Sequence, residues 1–579
     1  MATRIEIYTK RLSALKTEMQ HYQPHWRDLF TYIKPRSHRF LAYERWKAGN
    51  TRNTNIINNT ATKASQTLSA GFMSGVTNPA RLWFLLKTPF PEINERHEAK
   101  LWLDTARKRV AEVLLKSNLY STLPTVYDEL GIVGMGAMEE MEDDESVVRF
   151  YHYPVGSYFL AYDERGKLSA VYRELTMTVD QLISRFGISN VSQSVASLYN
   201  SNELDKLIEV VRVVERNPDH NQRKMPAKFK RFRSVWFEKG NNENKFLSES
   251  GFDEMPVIVP RWEVMGEETY ASSCPGMVAL GDIMALQVEE RRKSQLIDKS
   301  TNPPLQVPGS LKRKQVDQLP GGLTYVDISS GQEGIRTLYD TDLRGLQPLT
   351  QDIAMVERRI DTAFFKDLFL MISDIERSGV TAFEIAQKEQ EKLLALGPVY
   401  LRINDELLDS LIERTFNIMR RRSEPYWKGL ANGEPLLPKP PAALMNVPIQ
   451  IEYVSTLSQA MKSVGVQGVE RWLTFVGNSG QAFPSMLDIV NPDAVGRNYA
   501  EMLGVASEML NAPEVVEKLR SDREQRAQMQ EGMAMAEQGA AAAKDLSAAN
   551  LGDNNALAQM LGRMGQPGTT TTPAATFGA

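Results

Sequence analysis

Glu139, Glu140, Glu142, Asp143, Asp144 and Glu145 fall within seven consecutive residues, a carboxylate density that a hard divalent cation could use. A metal-dependent nuclease or phosphotransferase is one chemistry they would serve; the solvated tip of a β-hairpin accounts for them equally well. His21 and His25 stand four apart, the helical spacing of two metal ligands, but Pro24 lies between them and no third ligand is evident. Gly131, Gly134 and Gly136 imitate a phosphate loop. A dinucleotide loop must follow a strand, whereas these glycines follow a helical pattern, so they read as a helix stop leading into a strand. Lys312, Arg313 and Lys314 form a compact basic triplet, either a solvated turn or a contact for an acidic partner or a DNA backbone. The basic residues Arg291 to Lys293 and Arg358-Arg359 sit in helical stretches and read as surface or inter-subunit ion pairs. Asp374, Glu376 and Arg377 lie in a polar loop between two helix ends, and Cys274 reads as a bland thiol.

The positioning elements come from periodicity. Ile5, Leu12, Leu15, Met19 and Trp26 keep a helical rhythm up to Pro35; further helices are expected at Asn55 to Val76 and Glu95 to Ser117, the latter with Leu101, Trp102, Val110, Val113 and Leu114 as its apolar stripe. Val147 to Tyr153, Ser157 to Tyr162, Leu168 to Thr176, Lys230 to Phe237 and Pro256 to Trp262 are strand-like, and Asp163 to Gly166 is hairpin-turn chemistry. Thr178 and Gln181 have capping-box spacing ahead of a short helix that Gly187 ends. From Pro275 to Thr301 the chain predicts one long helix, stopped by Pro303-Pro304. A compact insert follows, with a strand at Leu323 to Ile328, and then a second long helix from Pro348 to about Leu370. Leu349, Ile353, Val356, Ile360 and Ala363 give that helix a heptad seam. Thr381 and Glu384 form another capping box, opening a helix to about Arg422 that Gly397-Pro398 should kink near Leu396. Pro448 to Val454 alternates as a strand; Thr456 to Asp545 is helical with breaks near Gly477 to Gly480 and at Ala512-Pro513, and the tail beyond has too little apolar content to fold. The fold class is α+β, mainly α.

Composition narrows the function. The 579 residues carry 68 Lys+Arg against 72 Asp+Glu, a formal charge of −4, so a broad basic face for tight nucleic-acid binding is not expected. A single cysteine excludes a disulfide scaffold and reads as a reducing compartment. No apolar run reaches the ~20 residues of a membrane span, and the charged N-terminus does not resemble a signal peptide. The signatures of P-loop ATPases, zincins, G-x-S-x-G hydrolases and EF-hands are missing, so no enzyme and no cofactor is expected.

The order of elements, with the stretches NTATKASQTLSAGFMSGVTNPARLWF, CPGMVALGDIMALQVEERRKSQLIDKSTNPPLQVP, LPGGLTYVD and GVTAFEIAQKEQEKLLALGPVYLRINDELLDSLIERTFNIM, resembles the portal, or head-to-tail connector, proteins of short-tailed bacteriophages. The likeness covers most of Met1 to about Val454. It implies a homo-oligomeric ring of about twelve subunits at one capsid vertex of the virion, assembled in the host cytoplasm, through which double-stranded DNA is packaged and ejected. In that layout residues 1–273 form a wing, 274–303 and 347–371 two stem helices, 304–346 a clip and 372–380 a tunnel loop. Residues 381–455 form a tunnel helix, capped by Thr381 and Glu384 and kinked at Gly397 and Pro398, with a return to the wing; 456–545 form a crown and 546–579 a flexible tail. The implied partners are a terminase motor, tail adaptor or nozzle proteins, major capsid and scaffolding proteins and internal core proteins at the crown, with no membrane. Lys312, Arg313 and Lys314 would then dock partners at the clip. Ser373, Asp374, Glu376, Arg377, Ser378 and Gly379 would line the channel: the serines for light polar contact, the acids to repel phosphate, Gly379 for a sharp reversal. A minor capsid or adaptor protein of other symmetry, and the metal nuclease, are the competing functions.

Overall fold

Thr3 accepts a hydrogen bond from the Glu6 N–H while the Glu6 carboxylate accepts one from the Thr3 N–H, and this capping box starts α1 (Arg4–Gln20). The computed structural model describes residues 3–40, 53–94, 96–221, 226–241, 243–307, 335–338, 345–371, 390–431, 433–445, 447–463, 466–502, 511 and 513–548. α2 (Gln23–Ile33) begins after a break at His21-Tyr22, with Pro24 in its first turn, so the rhythm of the first ~30 residues is carried by two helices. α3 (Thr60–Gly75) starts later than expected. Asn58 Oδ1 accepts from the Thr60 N–H at 2.9 Å, an Asx turn that ends the preceding segment before helix begins.

β1 (Phe84–Lys87), α4 (His97–Lys116) and α5 (Leu119–Val133) follow. In α4, Val110, Val113 and Leu114 are buried as expected, but Leu101 is 59% exposed and does not belong to the stripe. Gly134 ends α5 at φ 79°, and β2 (Met138–Asp143) pairs antiparallel with β3 (Val147–His152). The glycine run is a helix stop before a strand, because only glycine takes the left-handed cap without strain.

A five-stranded antiparallel sheet holds β4 (Tyr158–Tyr162) and β5 (Leu168–Thr178), then β6 (Leu207–Arg216), β7 (Phe232–Glu238) and β8 (Ser248–Phe252), in chain order. Between β5 and β6 lie α6 (Val179–Phe186), opened by the Thr178–Gln181 capping box and ended at Gly187, and α7 (Gln193–Asn200). Val179, Leu182 and Val195 pack with Val210 and Trp236 in a small core of their own. β9 (Val257–Ile258) returns to the free edge of β2; the longer strand expected from Pro256 to Trp262 is reduced to these two residues and single bridges at Arg261 and Glu263.

α8 (Pro275–Thr301) occupies the expected span. Gly276 allows its start to touch α5, since a Cβ there would meet the Ile132 carbonyl oxygen at 2.3 Å. β10 (Leu305–Gln306) and β11 (Arg336–Thr337) pair at the base of the insert, and α9 (Leu346–Ala363) runs back against α8. The helical stretch expected to about Leu370 is interrupted at Phe364-Phe365, where Phe365 takes φ 54° to pack against Trp262, and resumes over residues 366–371, where Phe369 lies against Phe72 beside Gly71.

α10 (Gln390–Ile403) passes through Gly397 and Pro398 without interruption; the irregularity lies further on, as a π turn at Asn404–Asp409 ahead of α11 (Ser410–Trp427). The carbonyl that Pro398 leaves without an N–H partner belongs to Leu394, which is exposed, so water can satisfy it. β12 (Gln450–Tyr453) pairs with β1 across the chain, followed by α12 (Thr456–Ser463) and α13 (Val466–Ala482), which continues past the break expected at Gly477 to Gly480. One large core joins α1 to α5 with α8, α9, α10 and α11.

Contacts divide the chain into two units, Met1–Asn491 with Met502–Gly504, and Pro492–Glu501 with Val505–Ala579. The second contains most of α14 (Pro492–Met502) and all of α15 (Pro513–Ala548), whose Arg520 forks onto Asp493 with two 2.6 Å contacts. The expected strand at Leu323 to Ile328, the triplet Lys312, Arg313 and Lys314, the loop residues Ser373 to Gly379 and the Thr381–Glu384 cap lie outside the described residues.

Candidate functional site

The hairpin of α8 and α9 carries the β10–β11 pair between its two legs in the chain. Ala279, Ile283 and Leu286 of α8 and Ile353, Val356 and Ile360 of α9 are buried, and Arg359 pairs with Asp282 at 2.8 Å. No residue of α8 beyond Gln287 is buried, so its last 14 residues, about 21 Å of helix, extend past the core. Gln287 marks the exit. Its Oε1 accepts from the Ile57 and Asn58 N–H groups at 2.7 and 2.9 Å, and its Nε2 donates to the Asn58 carbonyl at 3.0 Å. Asn58 Nδ2 in turn donates to Glu357 of α9 at 2.8 Å. The residues just before α3 therefore clamp both legs of the hairpin, a role that reading them as helix had hidden.

Along the outside of α8, Val278 is 70% exposed and Val288 is exposed ten residues on, with Gly281 and Ala285 between them at helical spacing. On α9, Met355 is exposed. Val278, Val288 and Met355 are thus large apolar side chains left exposed among the described residues.

The acidic run resolves into two parts. Asp143 accepts from the Ser146 N–H and hydroxyl at 2.9 and 2.8 Å, which holds its carboxyl below the usual range and makes the solvated hairpin tip that was expected. Glu139 and Glu140, adjacent on β2, are instead fully buried, pointing to opposite faces. Glu139 receives both terminal nitrogens of Arg212 from β6, with the Tyr153 hydroxyl donating to the same carboxylate. Glu140 accepts from the Thr415 hydroxyl of α11 at 2.8 Å, and Arg414 donates to the Glu140 carbonyl at 3.1 Å. One strand thus ties the five-stranded sheet to α11. Among the described residues no group of three His, Cys, Asp or Glu is arranged to hold a metal ion. His21 and His25 fall on either side of the α1–α2 break, and Cys274 is a buried cap of α8 whose thiol burial pushes up to about 12.

The signal for the buried pairs was present in the arginines. Arg212 stands among valines and Arg414 inside an apolar helical stripe, where an unpaired guanidinium is not tolerated, so each required a buried acceptor elsewhere in the chain.

Burial pushes the Glu140 carboxyl up to about 8, with Arg414 and Thr415 pulling the other way. Unfolded, the group titrates near its ordinary 4.5. Between those values the folded chain holds a proton that the unfolded chain has lost, so stability is full at the acid end and falls as pH rises, by about 1.4 kcal/mol per pH unit. Glu140→Gln should flatten that slope. Urea midpoints between pH 5 and 8 check it, and parallel slopes in both proteins would contradict the assignment.

Residues 6–510 match the family described as bacteriophage head to tail connecting protein. The portal protein of Salmonella phage epsilon15 is 41% identical over 565 residues, 98% of this chain and 99% of its own length. The probable portal protein of Bordetella phage BPP-1 is 36% identical over 561 residues, 96% and 97% of the two chains. A solved chain from the virion of a native gene transfer agent particle covers 77% of this chain and 90% of its own, at 10% identity and a TM-score of 0.30, which carries no argument. The near full-length match and the two relatives place this chain in the family of bacteriophage head-to-tail connecting proteins, with the phage portal proteins.

Proposed function

We propose that the chain is one subunit of a closed ring of about twelve at a single capsid vertex, a conduit for double-stranded DNA entering and leaving the head. A portal protein belongs to the virion, and its family is structural. The observation that supports the ring is the α8–α9 hairpin. Among the described residues the last 14 residues of α8 leave the core, and Val278 and Val288 are exposed, a surface that a neighbouring copy would cover. Sedimentation of the purified chain tests this directly: a species many times 65.3 kDa is expected, and a monomer at every micromolar concentration would sink the reading.

In this reading the body up to about residue 273 is the wing, the hairpin is the stem, residues 304–346 are the clip, 372–380 the tunnel loop, 381–455 the tunnel helix and wing return, and 456–545 the crown. The terminase motor and later the tail adaptor dock at the clip, with capsid and scaffolding proteins around the wing and core proteins at the crown. Lys312, Arg313 and Lys314 steer an acidic docking partner, an effect on association rate that salt weakens. Replacing all three by Ser should slow motor docking about tenfold at low salt with ring assembly intact. Unchanged docking rates would leave the triplet a solvated turn.

A further inference from the structure

Between α10 and α11 the chain is wound wider than an α-helix over Asn404–Asp409. A π turn holds one residue more than the α-helix would need for the same advance. Resolving it into α-helix, with α11 fixed, would carry α10 back by about 1.5 Å and turn it by about 100°, so that each site filled by residue n is filled by residue n+1.

α11 is the fixed side. Arg414 and Thr415 hold the Glu140 residue, the Ser423 hydroxyl accepts from the Leu437 N–H at 2.8 Å, and Trp427 Nε1 donates to the Leu437 carbonyl at 2.9 Å. α10 is held mainly by apolar contact, its buried face being Leu393, Leu396, Val399, Tyr400 and Ile403, with the Tyr400 hydroxyl 3.3 Å from the Ser455 hydroxyl. One residue on, the chain reads Leu394, Gly397, Tyr400, Leu401 and Asn404, so Tyr400 faces inward in both settings. That second set repeats the same spacing and can occupy the same sites. Leu394 and Leu401 are 61% and 68% exposed, an odd expense for a helix with only one inward face, and Asn404 Oδ1 is already buried without a hydrogen-bond partner.

We propose that α10 has two registers, the described one and a second in which Leu394, Gly397, Leu401 and Asn404 face the core, with the π turn as the stored residue between them. The latch is built into the turn. Glu406 accepts from the Arg261 N–H at 2.8 Å and from Arg261 Nη2 at 2.7 Å, while Arg261 lies 3.9 Å over the Tyr162 ring. Asp409 accepts from the Tyr453 hydroxyl on β12. Gly397 in place of Leu396 underfills the core, so the second register is the minor one. The shift goes beyond the conduit reading and does not depend on it.

Spin labels at Ala395→Cys and Arg420→Cys, both exposed positions, report the register; Cys274 is buried and stays unlabelled. Labelled subunits are diluted into unlabelled protein and their distance distribution is measured. Releasing the latch with Glu406→Gln should raise a second distance at least about tenfold over wild type, and adding Leu401→Asp, which forbids burial of the second face, should remove it. If Glu406→Gln does not fold, Tyr453→Phe serves as the latch variant. A single distance shared by wild type and latch variant, or a second distance that survives Leu401→Asp, overturns the proposal.

Discussion

Arg212→Met is expected to destabilise the folded subunit by about 3 to 5 kcal/mol, because it strands the Glu139 carboxylate inside the core without a counter-charge. The Arg212 guanidinium keeps its proton although burial works against it: Glu139 and Tyr153 more than compensate, and its pKa is raised. Removing Glu139 as well should restore most of the loss, since Glu139→Leu with Arg212→Met replaces a paired charge by apolar volume. Urea midpoints of the two single variants and the double variant give the coupling. If Arg212→Met alone unfolds at the wild-type midpoint, β2 does not join the five-stranded sheet to α11 in the manner described.

The second large effect concerns the proposed tunnel loop. Asp374→Lys with Glu376→Lys changes each subunit by four charges, and a ring of about twelve by roughly 48, at the point where DNA would pass closest. Phosphate neutralisation on that scale should raise DNA retention at low salt by about 10³-fold or more, and the gain should collapse as salt rises. Packaging or ejection should stall while ring assembly is unchanged. Filter retention of labelled duplex, across a salt series, is the measurement. Retention equal to wild type together with normal packaging would mean that these acids serve ion pairs with Arg377 or a neighbouring subunit.

What the sequence made legible follows from how local each signal is. The α8 span, the Thr178–Gln181 cap and the Gly134 stop are written in a few adjacent residues, and the structure has each where its chemistry puts it. Other features depend on distant partners. Glu139 and Glu140 look like part of a solvated acidic run until Arg212 and Thr415, far along the chain, are brought to them. Phe365 breaks α9 because it packs against Trp262, and no local propensity of the Ala363-Phe364-Phe365 segment announces that. Gly397-Pro398 carried the local signature of a kink, yet the helix is disturbed at Asn404–Asp409, where Glu406 and Asp409 are drawn sideways to Arg261 and Tyr453.

End-on electron micrographs of the purified particle decide whether the subunits close into a ring with a hole. Closed rings are expected, with an open axial channel, about twelve subunits around it and the α8–α9 hairpin of every subunit pointing to the same end. Particles without a channel, or only single subunits at the concentrations where a portal assembles, would contradict it.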